Sequence, residues 1–396
     1  MLSERINRIQ PSPTLAISAR AKAMRAKGQD ILSFDVGEPD FDTPEHIKDA
    51  CIEALRKGDT KYTAAPGTPA LREAICRKLQ RENKLVATPD QIVVSCGGKH
   101  SLYNIFQSIL NAGDEVIIPA PYWVSYPDQV LLADGNPVFI HAGQEQNFKI
   151  SAAQLDDCLK AHPRVKALVL NSPSNPTGAV YSPSHLRELC AVLENYPSVL
   201  VIADEIYEHM VYAPGEQWSV AKYSDDFARR TVIVQGCAKS YAMTGWRIGW
   251  TVSTKELASA MGKLQSQSTS NATSFAQAGA VAALDGGVDG AMMAEFEKRG
   301  KVMRELLKDV PGFQCAKPEG AFYCFPKVSG LFGVMVGKDR QLSTASDLTE
   351  YLLEVAQVAC VPGGGFGAPD HVRFSYTNSM QNIKEGINRI LRVLPE

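Results

Sequence analysis

Five short apolar runs recur through the middle of the chain: Ile92-Val93-Val94-Ser95, Glu115-Val116-Ile117-Ile118, Val165 to Leu170, Val199 to Ala203, and Thr231-Val232-Ile233-Val234. Rich in β-branched residues and lacking polar alternation, they read as strands buried on both faces. Helix-patterned segments lie between them, which implies an α/β fold with a mainly parallel sheet covered by helices on either side. In such sheets ligands sit in the crevice outside the carboxyl ends of the strands. Asn175, Asp204 and Lys239 each fall just past such an end. Three polar groups from three separate turns should therefore converge on one crevice.

The third of these lies in Gln235-Gly236-Cys237-Ala238-Lys239-Ser240-Tyr241-Ala242-Met243-Thr244-Gly245-Trp246-Arg247-Ile248-Gly249-Trp250. A lysine held off solvent can shift its pKa and form a Schiff base with an aldehyde. Arg247 and the close-approach glycines suit a phosphate. An aldehyde with a phosphate handle describes pyridoxal phosphate. The stretch alone also admits a surface lysine and an ion-paired arginine. A second anion site is expected at Cys96-Gly97-Gly98-Lys99, where two glycines lead from a strand into a helix from about Ser101 to Leu110. This is no Walker loop, because His100 follows the lysine where that loop needs Ser or Thr.

A chain of 396 residues exceeds one typical core, so two domains are expected. A net charge of −2 gives no electrostatic footprint for nucleic acid or an anionic membrane. Nine cysteines are scattered without a C-x-x-C and read as reduced core residues rather than a disulfide framework or metal site. No apolar run approaches bilayer-spanning length, and the first residues lack an apolar h-region, so a cytoplasmic protein is expected. Helices are expected from Leu15 to Lys27, after Pro44 and after Thr68-Pro69, with Ser12 and Thr14 in a turn between prolines before the first of these. The charged segment from about Glu295 reads as a helical connector. Beyond it come short strands around Ala321–Phe325, a helix from Leu348 to Gln357 and an alternating strand, His371–Tyr376, an α+β pattern. Arg373 inside that strand needs either a structural ion pair or an anionic ligand.

Together these residues resemble the class I/II aminotransferases, a fold type I family of pyridoxal phosphate enzymes. The resemblance rests on Asn-Pro-x-Gly at Asn175, Asp-x-x-Tyr at Asp204, the lysine at 239 and Gly-x-Arg-x-Gly around Arg247. Pro-Tyr-Trp-Val-Ser-Tyr and Gly-Gly-Lys point to the subgroup of bacterial aspartate aminotransferases. The resemblance implies a large domain, 46–295, with a mainly parallel seven-stranded sheet. It also implies a smaller α+β domain, 296–396, and an N-terminal arm with a small-domain part, 1–45. Lys239 would hold the cofactor and shuttle the α-proton, and Asp204 would pair with the ring nitrogen. Tyr207 and Asn175 would bond the ring oxygen, and Trp123 would stack on the ring. Arg247 and the Gly97-Gly98-Lys99 backbone would take the phosphate, with Tyr62 supplied by a neighbouring subunit of a homodimer. Arg373 and the Gly37 amide would clamp the substrate α-carboxylate. Lys99, Ser12 and Thr14 would meet the side-chain carboxylate of aspartate or glutamate, and 2-oxoglutarate would accept the amino group.

Two departures stand out. Gly236 replaces a phosphate-bonding serine common among relatives, and Gln10 replaces a basic residue frequent in members acting on prephenate. The rival within enzymes is a broad-specificity or aromatic/prephenate aminotransferase, or a related β-lyase. A nicotinamide dehydrogenase would need G-x-G-x-x-G after an early strand with an acid downstream, an arrangement the chain lacks.

Overall fold

The computed structural model describes residues 2–11, 13–212 and 218–395. Its main element is a seven-stranded sheet. The strands are β1 (Ile92–Ser95), β2 (Glu115–Ala120), β3 (Asn136–His141), β4 (Val165–Asn171), β5 (Leu200–Asp204), β6 (Thr231–Gly236) and β7 (Gly249–Val252). Their spatial order is β1-β7-β6-β5-β4-β2-β3. Only β7 runs against its neighbours; the other pairs are parallel. The five expected strands are present, and β3 and β7 join them. β3 is a mostly uncovered edge opening with Asn136-Pro137, and β7 was hidden among glycines.

Period-two alternation sends neighbouring side chains to opposite faces of the sheet. Val116, Ile118, Val169, Ile202 and Val234 pack on one face against α2 (Gly98–Ile109) and α3 (Ser125–Leu132). Ile117, Leu168, Leu170 and Val201 pack on the other with Leu155, Leu186 and Leu189. α2 begins three residues earlier than expected, because Gly97 itself makes the turn with φ +88°. Thr68 caps the following helix, Pro69–Lys78, by accepting from the Leu71 amide at 3.3 Å.

The first long helix, α1 (Pro13–Ala26), starts earlier than expected and places Thr14 in its first turn rather than in a loop. Ser12 lies outside the described residues. α4 (Gly290–Lys308) begins before the charged segment and buries Met292, Phe296, Met303 and Leu307, so it is a core helix with a charged face. Among the short strands that follow, β8 (Tyr323–Cys324), β9 (Val361–Pro362) and β10 (Val372–Ser375) form one antiparallel sheet, ordered β9-β10-β8. β10 does not alternate between core and solvent. All four of its residues are buried, because it is the central strand of the three. The expected 348–357 helix is an α-helix, Ala345–Tyr351, that widens into a π-turn, Leu352–Ala356. Among the described residues no helix is long and apolar enough to cross a membrane.

Behind the strand ends lies a buried polar network. Lys78, fully buried, donates to Glu208 Oε1, to Asn83 Oδ1 at 2.8 Å and to Gln235 Oε1 at 3.2 Å. Asn83 and Gln235 in turn donate to Glu208 Oε2 at 2.8 and 2.9 Å. Removing one member of a buried ion pair leaves its partner's charge uncompensated. Lys78→Met is therefore expected to cost about 3–5 kcal/mol of stability, read as a lowered denaturant midpoint with unchanged slope.

Candidate active site

Four parallel strands and the start of the antiparallel one end on the same side of the sheet. β1 delivers Gly97-Gly98-Lys99, β4 delivers Asn171 to Asn175, β5 ends on Asp204, and β6 leads to Lys239. Because β7 is reversed, its beginning, not its end, reaches this edge, and Arg247 arrives there. Eleven residues named from the sequence line one cavity of about 280 Å³: Thr14, Gly37, Gly98, Lys99, Trp123, Asn175, Asp204, Tyr207, Lys239, Arg247 and Arg373. Gly97 borders it through Arg247. Tyr62 does not reach it and stands 92% exposed.

Lys239 Nζ donates to the Gly37 carbonyl at 2.5 Å. Burial lowers the ammonium to about 8; Arg373 and Arg247 push the same way, while Glu38 and Asp204 oppose. A usable fraction of neutral amine therefore exists near neutral pH. Asp204, which is buried, accepts from the Tyr126 hydroxyl at 2.6 Å and the Ile206 amide at 3.2 Å. Desolvation outweighs those bonds and the Lys239 charge, raising the carboxyl to about 6. At pH 7 the two groups thus offer a lysine with a minor fraction of free amine and a mostly ionised carboxylate. The Tyr207 hydroxyl shares a 2.8 Å hydrogen bond with Tyr323, and burial holds its proton well past the ordinary phenol range.

At one end of the cavity the start of α2 leaves the Gly98 and Lys99 amides without intrahelical acceptors. Arg247 lies alongside, its guanidinium donating to the Thr244 carbonyl at 3.0 Å and the Cys96 carbonyl at 3.3 Å. A β-carbon at Gly97 would come within 2.5 Å of Arg247 Nη2, and the φ of +88° at this residue favours glycine. The departure at Gly236 also has a physical reason. A β-carbon there would lie 2.9 Å from the Ile248 carbonyl oxygen and 3.0 Å from Gly249 Cα, so β7 runs too close to admit serine.

On another wall is Arg373, 3% exposed. Its guanidinium donates to Asn175 Oδ1 at 2.9 Å and to the Asp35 carbonyl at 2.7 Å, between the rings of Tyr323 and Phe366. Nε is buried without a partner, and no carboxylate pairs with Arg373 among the described residues. The structural ion pair is thus ruled out for the described chain, and the arginine is a buried cation awaiting an anion. Lys99, 5.0 Å over the Trp123 ring, is a second cation facing the cavity. Burial lowers its pKa, as does Arg247, against Asp128. Thr14 Oγ1 is buried without a hydrogen-bond partner.

Tyr126, Asn171, Thr244 and Tyr323 also line the cavity and were not assigned from sequence. Asn171 ties two turns together, donating to the Asp204 carbonyl at 3.0 Å and accepting from the Asn175 amide at 2.9 Å. Tyr126 stands three residues after Trp123, a helical spacing that could have flagged it. Tyr323 arrives from β8, and no local pattern announces it. The cavity therefore joins a poised amine, a carboxylate and three cationic or amide anion sites. That set suits chemistry on a small, multiply anionic molecule.

Residues 29–390 match the family model for aminotransferase class I and II. A Rickettsia bellii protein named probable aspartate/prephenate aminotransferase is 46% identical over 394 residues, covering 99% of this chain and 98% of that protein. A Bacillus sp. strain YM-2 aspartate aminotransferase is 45% identical over 395 residues, 99% of this chain and 98% of that one. The crystal structure of the Rhizobium meliloti aspartate aminotransferase superposes with a TM-score of 0.95 at 42% identity, over 99% and 98% of the two chains. The Thermus thermophilus aspartate aminotransferase with maleate gives 0.90 at 39% identity over the full length of both. With that agreement in sequence, fold and cavity, the chain belongs to the class I and II aminotransferases.

Proposed function

We propose that this transaminase is a pyridoxal-phosphate-dependent aspartate aminotransferase, passing the amino group of L-aspartate to 2-oxoglutarate in two half-reactions. The observation that carries the reading is a pair of cations, Arg373 and Lys99, facing one cavity, neither of them in a salt bridge among the described residues. Two cations around a single amine suit a substrate with two carboxylates. The Thermus relative was solved with maleate, a dicarboxylate.

The residues fit the cofactor. The Gly97 turn that a β-carbon would fill, the Gly98 and Lys99 amides and Arg247 suit its phosphate. Asp204 suits its ring nitrogen, Tyr207 and Asn175 its ring oxygen, and Trp123 its face. When bound, pyridoxal phosphate supplies an electron sink for the α-carbon. Lys239 Nζ would hold the cofactor and, as the free amine, would take the α-proton and return it. Arg373 and the Gly37 amide orient the α-carboxylate, and Lys99, Thr14 and Ser12 select the side-chain carboxylate. Tyr62, solvent-facing in the single chain, would serve the site of a second copy in a cytoplasmic homodimer.

The chain divides, on this reading, into an arm and small-domain part (1–45), a large domain (46–295) and a small domain (296–396). Pairing of Leu32–Ser33 with Val358–Ala359, and of Ile17 and Ala21 with Leu353 and Ala359, supports assigning the first part to the last.

The test is the visible absorbance of the loaded enzyme titrated with L-aspartate, L-glutamate, L-phenylalanine and L-alanine. Bleaching of the cofactor band at low aspartate and glutamate, but not alanine, is expected. Lys99→Ala should lose that preference selectively, raising KM for aspartate and glutamate while leaving alanine turnover unchanged. Equal conversion of phenylalanine and aspartate would overturn the assignment. Prephenate is the second reading, favoured by the names of the Rickettsia bellii and Nitrosomonas europaea relatives. Amination of prephenate at a rate comparable to that of oxaloacetate would establish it.

A further inference from the structure

Tyr126 sits in the first turn of α3 with 1% of its surface exposed, packed with Val116, Ile118 and Val169. A hydroxyl in such a place is costly unless it has a partner. Its partner is Asp204 Oδ2, at 2.6 Å. The ring meets Trp123 edge-on, centroids 5.3 Å apart at 82°, which fixes the direction of the hydroxyl.

We propose that Tyr126 is a positioning residue for Asp204: its hydroxyl aims the carboxylate and keeps it ionised, the form needed to hold a proton on the cofactor's ring nitrogen. The inference rests on the reading of Asp204 as the ring-nitrogen partner. The groups facing the Asp204 side chain can be named from every element around it. From α3 comes the Tyr126 hydroxyl; from its own turn, the Ile206 amide at 3.2 Å and the Tyr207 phenol; from the turn after β6, Lys239. Asn171, from β4, reaches only the Asp204 main-chain oxygen. Lys239 is the sole charge among them, and Arg373 and Arg247 bear on it in turn. Burial pushes the carboxyl up, and the Tyr126 bond is the largest influence against that, leaving it at about 6.

Removing the hydroxyl takes away a contribution that lowers the pKa, so the carboxyl should titrate higher, by roughly one to two pH units for one charge-assisted hydrogen bond. At pH 7 a mostly ionised Asp204 would become half or mainly protonated. The experiment compares wild type with Tyr126→Phe. In apoprotein, the Asp204 carboxyl is followed by carbon-13 NMR of labelled aspartate against pH, with Asp204→Asn to assign the signal. In loaded enzyme, kcat and KM for aspartate are measured against pH. A raised apoprotein midpoint, an acidic limb of kcat moved upward, unchanged KM and recovery of kcat at alkaline pH are expected. In the Asp204→Asn background, Tyr126→Phe should cost nothing more. An unmoved apoprotein midpoint, or an additive loss in the double variant, overturns the role of Tyr126. A moved midpoint with an unmoved kcat profile instead sinks the ring-nitrogen reading of Asp204, and with it the purpose proposed for Tyr126. Should the phenylalanine variant not fold, fluorotyrosine at 126 strengthens the donor in nearly the same shape. It must then lower the midpoint for the proposal to stand.

Discussion

Lys239→Ala should lower kcat for aspartate by about 10⁵-fold or more, the scale on which removal of a covalent catalytic residue acts. Lys239 lines the cavity, is shifted to about 8 and lies within reach of both the Gly37 carbonyl and the Asp204 wall. No neighbour can replace it: Lys99 lies over Trp123, and Arg247 carries a guanidinium rather than an amine. The same substitution should leave cofactor phosphate affinity largely intact, because the α2 start and Arg247 are untouched. The measurement pairs stopped-flow half-reactions with the spectrum of the variant, which should lack the band of the lysine-bound cofactor. Wild-type turnover in the alanine variant would end the covalent reading. The pH sign is also fixed. Between the folded value near 8 and the ordinary 10.5, the unfolded chain holds a proton the folded one has lost. This group's contribution to stability therefore rises with pH across that window in the apoprotein.

Arg373→Ala should lower kcat/KM for aspartate roughly 30- to 5,000-fold, corresponding to about 2–5 kcal/mol for loss of one side of a buried, hydrogen-bonded charge pair. The unusual part of the expectation concerns stability. The guanidinium sits in the core with two neutral acceptors, no carboxylate and an unpartnered Nε. Its desolvation is uncompensated within the described chain, so the alanine variant should unfold at the same temperature or higher, despite its lost activity. Calorimetry of the apoprotein alongside steady-state kinetics separates the two effects. A large drop in melting temperature would mean that Arg373 is structural after all.

The strands at 92, 115, 165, 200 and 231 were legible because continuous burial writes itself as continuous apolar sequence. The ligands at their ends were legible because a parallel sheet gathers its carboxyl ends. β3 escaped notice because an edge strand with Asn136, Pro137 and an exposed His141 carries little apolar signal. β10 showed apparent alternation, His371-Val372-Arg373-Phe374, yet polar residues there face the cavity and neighbouring side chains rather than water. Burial of a polar residue depends on partners far away in the chain. The same cause hid Tyr323, 116 residues from the Tyr207 hydroxyl it meets, and the Asp35 carbonyl, 338 residues from Arg373. Close packing explained Gly236 only once β7 was seen beside it.

The reversed direction of β7 has a kinetic side. Lys239 and Arg247 both lie in the connection between β6 and β7, so bringing these like charges to the same rim closes a short loop, whose entropy cost is small. Their carboxylate counterpart, Asp204, and the distant Arg373 require contacts of high sequence separation, which form late in chains limited by topology. The part of the lysine's tuning that comes from Arg247 is thus built into local connectivity, while burial, the larger cause, and the pull of Arg373 and Asp204 depend on completion of the whole fold. A chain interrupted before its last hundred residues would carry Lys239 and Arg247 without the Arg373 clamp.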